Sequence, residues 1–343
     1  MENASAAGSV YVQTNELDGN RVLTFSRDEV GGLTAASSVD TGGRGDGVPH
    51  LTSQGSVVLS GERTHLLVTN AGSDDLSVFA VTDGKPALLA TVATGGGAPK
   101  SVAEHDGLVY VLNTNPGSLV GFRLGERGAD RLDVSPRELS ADADPAQLGF
   151  APDGSALVVT DRGTNSLVLF PVAADGSLGE PTIVPSSGPT PYGFAFAGER
   201  TLVVTEAFGA EKGKAAASSY SVAGTTAIPA SRSVGNGRSE ICWAVATPDG
   251  RHVFTTNFAD GAVSRYAVRG DASIALEEAQ AGTAVDGQPG LRDEALTGDG
   301  RFLYAIDADG RRIYGWAVTG RGNLDLVDSW SGLPATVAGL AAS

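Results

Sequence analysis

The densest charge cluster at a predicted strand start is Arg292-Asp293-Glu294. A guanidinium there has the geometry to hold a carboxylate through paired hydrogen bonds or to stabilise an oxyanion. The neighbouring Glu294 would then take a proton from water. The same three residues can instead neutralise one another as an ion-pair network, because lone charges near a crowded axis are costly. Glu206 closes the apolar run Val203-Val204-Thr205, where six equivalent runs end in Asn or Asp. Polar residues at such places bond the backbone of the following turn, and Glu206 reads either that way or as a general base. Glu240 supplies a further carboxylate, followed on the same strand by Cys242 and Trp243. No His adjoins Cys242, so its thiol has no visible activator and reads as a small buried filler. Trp243 reads as an apolar pocket wall or as core packing. Tyr192 and Gln147 stand near two other strand starts. Of the four His, only His50 falls in a link between repeats, as a base or as a hydrogen-bonded structural residue. Beside it, Ser53 and Gln54 lie in a polar stretch, Ser53-Gln54-Gly55-Ser56, that lines a pocket or forms a bulge.

Composition removes several classes of function. With 24 Lys and Arg against 40 Asp and Glu, the net charge of −16 leaves no basic stripe for nucleic acid or an anionic membrane. No apolar run approaches the length that spans a bilayer. One Cys excludes an intrachain disulfide and a multi-Cys metal site, and four scattered His argue against a multi-His one. No phosphate-cradling GxGxxG or GxxxxGK[ST] motif is placed between strand and helix, and no Gly-x-Ser-x-Gly elbow occurs. The reading is therefore no metal and no cofactor. The first residues, Met1 to Gly8, lack the charged and apolar regions of a secretion signal. Location is read as cytoplasmic, or secreted if a signal was removed before this numbering begins.

The elements that must position these residues come from repetition. Forty-seven Gly and 16 Pro among 343 residues give many turns and few helix formers, which indicates an all-β chain. Runs ending at Asn15, Asn70, Asn113, Asp161, Glu206, Asn257 and Asp307 recur with a mean spacing of about 49 residues. Seven such units predict a seven-bladed β-propeller of four-stranded antiparallel blades, read as one domain over 1–343 with 1–9 flexible. In one unit, Gln147-Leu148-Gly149-Phe150 reads as the inner strand and Ala156 to Thr160 as the second. Ser166 to Val172 is then the third, and Glu180 to Val184 the outer. The chain opens on a second-strand pattern at Val10, and Leu333 to Leu340 reads like the missing inner strand. The C-terminal strand is therefore expected to complete the first blade. Inner-strand starts and second-strand ends then share one face, so all the candidates above should approach one rim of the central channel. Phe208 to Ser219, the longest irregular insertion, reads as a surface loop or a lid over that face. Closed propellers have protected edges, and a monomer is expected.

The repeats at Leu67 to Phe79 and Thr247 to Asn257 resemble the seven-bladed lactonase family, which includes propeller-type 6-phosphogluconolactonases and 3-carboxymuconate cyclases. Ser239-Glu240-Ile241 is similar to that family's Ser-Glu-Ile segment before an inner strand. The resemblance implies a small-molecule partner, a lactone or an unsaturated carboxylic acid, and a lactonase or the reverse cyclisation, without a tightly bound metal. The repeats also look like YVTN-type surface propellers, whose role would be ligand or protein binding on the top face. The family's phosphogluconolactonases show a Pro-Arg-His type start to an inner strand. Here the corresponding starts are Pro145-Ala146-Gln147, Pro191-Tyr192-Gly193 and Leu291-Arg292-Asp293, none with His. That departure points to a substrate other than 6-phosphogluconolactone. The implied roles are Glu206 or Glu294 as base, Arg292 as oxyanion or carboxylate partner, and His50 and Gln147 orienting the substrate. Tyr192, Glu240, Trp243, Ser53 and Gln54 would line the pocket.

Overall fold

A computed structural model describes residues 7–48, 54–134, 136–284 and 287–343. Seven antiparallel sheets follow one another along the chain. Each begins with an inner strand on the channel: Ala338–Ala342, Val57–Leu59, Gly97–His105, Pro145–Phe150, Pro191–Ala197, Ile241–Ala246 and Leu291–Leu296 for blades 1 to 7. The second strands are buried along nearly their whole length, as in Ala156–Asp161, Thr201–Glu206 and Phe302–Asp307. They carry continuous apolar character because both their faces meet a neighbouring blade. Outer strands such as Lys85–Ala93 and Asn323–Ser331 are exposed or half-buried along nearly their whole length. Blade 3 divides its outer strand into Gly128–Arg131 and Arg137–Glu138. The only helical turns among the described residues are two 3-10 turns, Phe208–Ala210 and Phe258–Asp260. Accordingly, no described helix is long and apolar enough to cross a membrane.

Stability resides between the blades. The seven largest apolar clusters each join one blade to the next. Val10, Phe25 and Leu340 of blade 1, for example, pack on Tyr304, Ile306 and Ile313 of blade 7. Buried tyrosines add polar contacts across the same seams: Tyr304 Oη donates to the Gly31 carbonyl at 2.8 Å, and Tyr110 Oη to that of Gly176 at 2.6 Å. Such tips need a partner once the ring is buried.

The ring closes as expected, with Val10, Tyr11 and Val12 opposite Ala342, Ala341 and Leu340. The closing strand begins later than Leu333, because the Val337 amide folds back to the Pro334 carbonyl and makes 333–337 a turn. Leu333 and Val337 still reach the core between blades 7 and 1. The flexible start expected over 1–9 is corrected at its inner end, where Gly8 and Ser9 pair with Arg27 and Ser26. Its residues 1–6 lie outside the described residues. The predicted insertion likewise shortens, since Ala216–Ala223 is the third strand of blade 5 and is buried over most of its length.

One irregularity repeats and controls the site. In blades 4 to 7 the pairing of inner and second strands slips by one residue, between Pro145 and Gln147, Pro191 and Phe194, Ile241 and Ala244, and Leu291 and Glu294. These are β-bulges, which bend a strand and re-aim its side chains. Each places its extra residue where the inner strand leaves the rim.

Candidate active site

The bulges divide the candidates between two places. Tyr192, Cys242 and Trp243 form an apolar floor at the rim with Ala146, and Phe258 packs against it. Tyr192 and Trp243 lie with ring centroids 5.7 Å apart. Two arginines flank that floor. Arg292 lies over the Phe258 ring at 3.9 Å, and Arg162 over the Tyr192 ring at 4.9 Å. Arg162 is already committed, through Nη2 donating to Asp144 at 2.6 Å. Arg292 is 7 % exposed, its contact with Asp309 is a long 3.9 Å, and its Nε has no hydrogen-bond partner among the described residues. Burial pushes the Arg292 guanidinium downward from its usual range, opposed chiefly by the charge of Asp309. A buried cation with unused donors is a receptor for an anion.

Glu240 stands at the same rim. It precedes the bulge in a left-handed turn, φ +54°, and the same turn recurs at Ala98 and Thr190. Its carbonyl accepts from the Phe258 amide at 2.9 Å and from Cys242 Sγ at 3.4 Å, which fixes the turn. Its carboxylate is close enough to act electrostatically on both Arg292 and Cys242 without forming an ion pair with Arg292. Burial pushes the Cys242 thiol up to about 12, so it remains protonated and the filler reading stands on physical grounds.

Glu206 is corrected from catalytic candidate to structural staple. Its Oε1 accepts from the Gly188 amide at 2.8 Å and Ser218 Oγ at 2.6 Å, and its Oε2 from Ser233 Oγ at 2.7 Å. Burial raises its pKa and these hydrogen bonds work against the rise. It joins the link into blade 5 to that blade's third and outer strands, which is the turn-bonding role of the shorter Asn and Asp residues. At Asp161, for instance, the carboxylate accepts from the Asp144 and Gly163 amides.

Glu294, Gln147 and Gln54 are corrected in position. They line a cavity of about 500 Å³ in the channel, not the rim. That cavity is bordered by Ser60, Arg63, Glu104 and Gly298, at the turns between inner and second strands, and so belongs to the opposite face. Gln54 separates the two regions. Its main-chain carbonyl accepts from Ser101 of blade 3, while its side-chain amide donates to the Ala244 carbonyl at 2.8 Å and accepts from the Ala244 amide at 3.1 Å. The residue therefore crosses the channel to blade 6. Gly193 lets it through, since a Cβ there would collide with Gln54 Oε1 and the Cys242 carbonyl. Gln147 likewise grips the Phe194 main chain of blade 5 through both ends of its amide. Neither amide is left to orient a substrate. His50 and Ser53 lie outside the described residues.

Three rim residues escaped the sequence reading: Arg162, Phe258 and Asp309. Each follows the end of a second strand by one or two positions, after Asp161, Asn257 and Asp307. Extending the run-end series by two residues would have found them.

A seven-bladed propeller with an aromatic cluster flanked by two arginines at one rim is the class of protein these features define. The family model described as lactonase, 7-bladed beta-propeller, matches residues 5–129 and 127–208, and the chain belongs to that family. A 6-phosphogluconolactonase of Serratia proteamaculans is 31% identical over 94 residues, 25% of this chain and 28% of that protein, so the match spans little more than a quarter of the relative. Among solved structures, the periplasmic gluconolactonase of Pseudomonas aeruginosa superposes with a TM-score of 0.74 at 16% identity, covering 98% of each chain. A protein from Lactobacillus plantarum superposes with a TM-score of 0.77 at 15% identity, covering 98% of this chain and 99% of that one. At these identities the structural likeness speaks for the fold.

Proposed function

We propose that the protein opens or closes a small carboxylated lactone at the rim, with Arg292 as the anion receptor and Glu240 as the proton carrier. The observation that carries this reading is the buried Arg292 guanidinium, held on Phe258 with its Nε unpaired among the described residues. In hydrolysis, water adds to the ring carbonyl carbon while Glu240 takes a proton from it. The carbonyl oxygen becomes an oxyanion facing Arg292, a cation already desolvated and oriented. Collapse breaks the acyl–oxygen bond, and Glu240 returns the proton to the leaving ring oxygen. Tyr192 and Trp243 support the ring from below. Lactonisation uses the same groups in reverse. The lactonase names of the relatives support the reaction class, and the rim chemistry supports an anionic substrate without specifying a phosphate.

The test is a panel of purified lactones, 6-phosphogluconolactone and its unphosphorylated counterpart among them, with wild type, Arg292→Ala and Glu240→Gln. Turnover of carboxylated lactones that collapses in both variants supports the assignment. Turnover unchanged in both sinks it, and saturable product binding with no turnover would make this a ligand-binding propeller instead.

A further inference from the structure

We infer that the channel cavity on the far side of Gln54 is a second binding site, built for a small primary amine with an aliphatic body. Glu294 is 2 % exposed and lines this cavity, and neither carboxyl oxygen has a hydrogen-bond partner among the described residues. The Thr256 main-chain N–H faces it without reaching hydrogen-bond geometry. A buried acid with both oxygens unused costs free energy unless something answers it.

The surroundings select the ligand. Asp293 beside it is already occupied, accepting from the Glu294 amide at 2.9 Å and, across the ring closure, from the Leu340 amide at 3.1 Å. The Gln54 and Gln147 amides are engaged with main chain. No group of three or more His, Cys, Asp or Glu side chains assembles among the described residues. The cavity thus offers one acid to one positively charged head, rather than a cage of oxygens to a divalent ion. Elsewhere its wall is largely apolar, from residues such as Val57, Leu59, Leu148 and Leu296. An apolar pocket with a single unpaired acid suits an alkyl chain carrying an amine.

The lower mouth adds a condition. Arg63 lies against Gly298, where a Cβ would collide with its guanidinium, while both oxygens of Glu104 are held by the Gly61 and Gly107 amides. A cation approaching from that side meets Arg63. The amine therefore enters neutral, and its nitrogen lone pair takes the Glu294 proton inside, leaving an ammonium–carboxylate pair. Burial, reinforced by the charge of Asp293, keeps that proton on Glu294 beforehand.

The site is independent of the rim chemistry, and its test is calorimetric titration of the full chain with hexylamine, with 1-hexanol as the uncharged match. Wild type should bind hexylamine saturably at one site and hexanol about tenfold or more weakly. Glu294→Gln should weaken hexylamine at least about tenfold. Ala246→Leu, which narrows the cavity without touching the acid, should do the same, while Arg292→Ala should bind normally. Absence of saturable binding, equal binding of hexanol, or wild-type affinity in both cavity variants overturns the inference. If Glu294→Gln does not fold, a hexylamine-soaked crystal of the wild type decides. Nitrogen within hydrogen-bond reach of Glu294 supports the site, and nitrogen elsewhere refutes it.

Discussion

Two regions on either side of Gln54 treat buried charge in opposite ways. At the rim, Arg292 keeps its charge on an aromatic face, with a distant acid and an Nε that has no hydrogen-bond partner among the described residues. In the cavity, Glu294 surrenders its charge, since burial and the adjacent Asp293 hold its carboxyl well above the usual carboxylate range. A guanidinium resists neutralisation, whereas a carboxyl yields by keeping a proton. On the proposed reading, the rim answers charge that develops during a reaction, and the cavity offers a proton that is already present. Glu206, equally buried but saturated by three donors, belongs to neither and shows that burial by itself does not make a site.

The largest expected effect tests the rim. Arg292→Ala should lower kcat/KM for a carboxylated lactone by about 10²–10³, or roughly 3–4 kcal/mol, because a preorganised oxyanion partner is lost. Steady-state kinetics with the unphosphorylated substrate read this directly. A loss below about fivefold would mean that the unused donors are incidental and that the contrast with the cavity has no catalytic meaning. Next comes the staple. Glu206→Ala leaves the Ser218, Ser233 and Gly188 donors buried without their acceptor, and should cost about 2–4 kcal/mol of stability. Denaturant unfolding measures that loss. The activity per folded molecule should be retained, and its collapse at unchanged stability would return Glu206 to the catalytic machinery.

A smaller effect reports the proton in the cavity. Because the folded-state pKa of Glu294 is raised, the unfolded chain releases this proton first as pH increases. The penalty on folding is absent below about pH 4 and grows as pH rises through the unfolded value. Asp293, raised to about 7 mainly by burial, adds a penalty in the same direction between about pH 4 and 7. Glu294→Gln should therefore match wild type near pH 4 and exceed it by about 1–2 kcal/mol near pH 7, within the limit of about 1.4 kcal/mol per pH unit for one proton. Melting curves across that range test it. A variant destabilised by the same amount at both ends would show that the carboxyl is held by contacts and titrates normally.

The sequence carried the ring because every blade repeats one buried second strand, and a strand packed on both faces has little freedom in composition. It also carried half of the rim. Arg292, Glu240, Tyr192 and Trp243 converge because inner-strand starts and second-strand ends must share a face. The cavity was hidden by geometry finer than strand alternation. A one-residue bulge between Leu291 and Glu294 directs Arg292 to the rim and Glu294 into the channel, although the two are only two positions apart. Composition cannot reveal that slip. The path of Gln54 was hidden for a different reason, since its partner Ala244 lies 190 residues away and is met through main-chain atoms that any residue would supply. Arg162, Phe258 and Asp309 were legible in principle, each standing just beyond a recognised run end.

The smallest predicted effect concerns Cys242, which sits on the rim floor beneath both candidate catalytic groups. Its Sγ–H donates toward the Glu240 carbonyl at 3.4 Å, and burial lifts its pKa to about 12 against the opposing charge of Arg292. At pH 8 almost none of it is thiolate, so it should resist iodoacetamide in the folded protein. Cys242→Ala removes a weak hydrogen bond and a small volume, and kcat/KM should change by less than about twofold. Mass spectrometry of the treated protein and kinetics of the variant check the two statements separately. Rapid labelling would show that Arg292 outweighs burial, making the rim a place that stabilises anions of the protein as well as those of a substrate. A tenfold fall in turnover without labelling would point instead to the floor's shape. In that case, the aromatic support of the lactone ring, more than the charge above it, would distinguish the rim from the cavity.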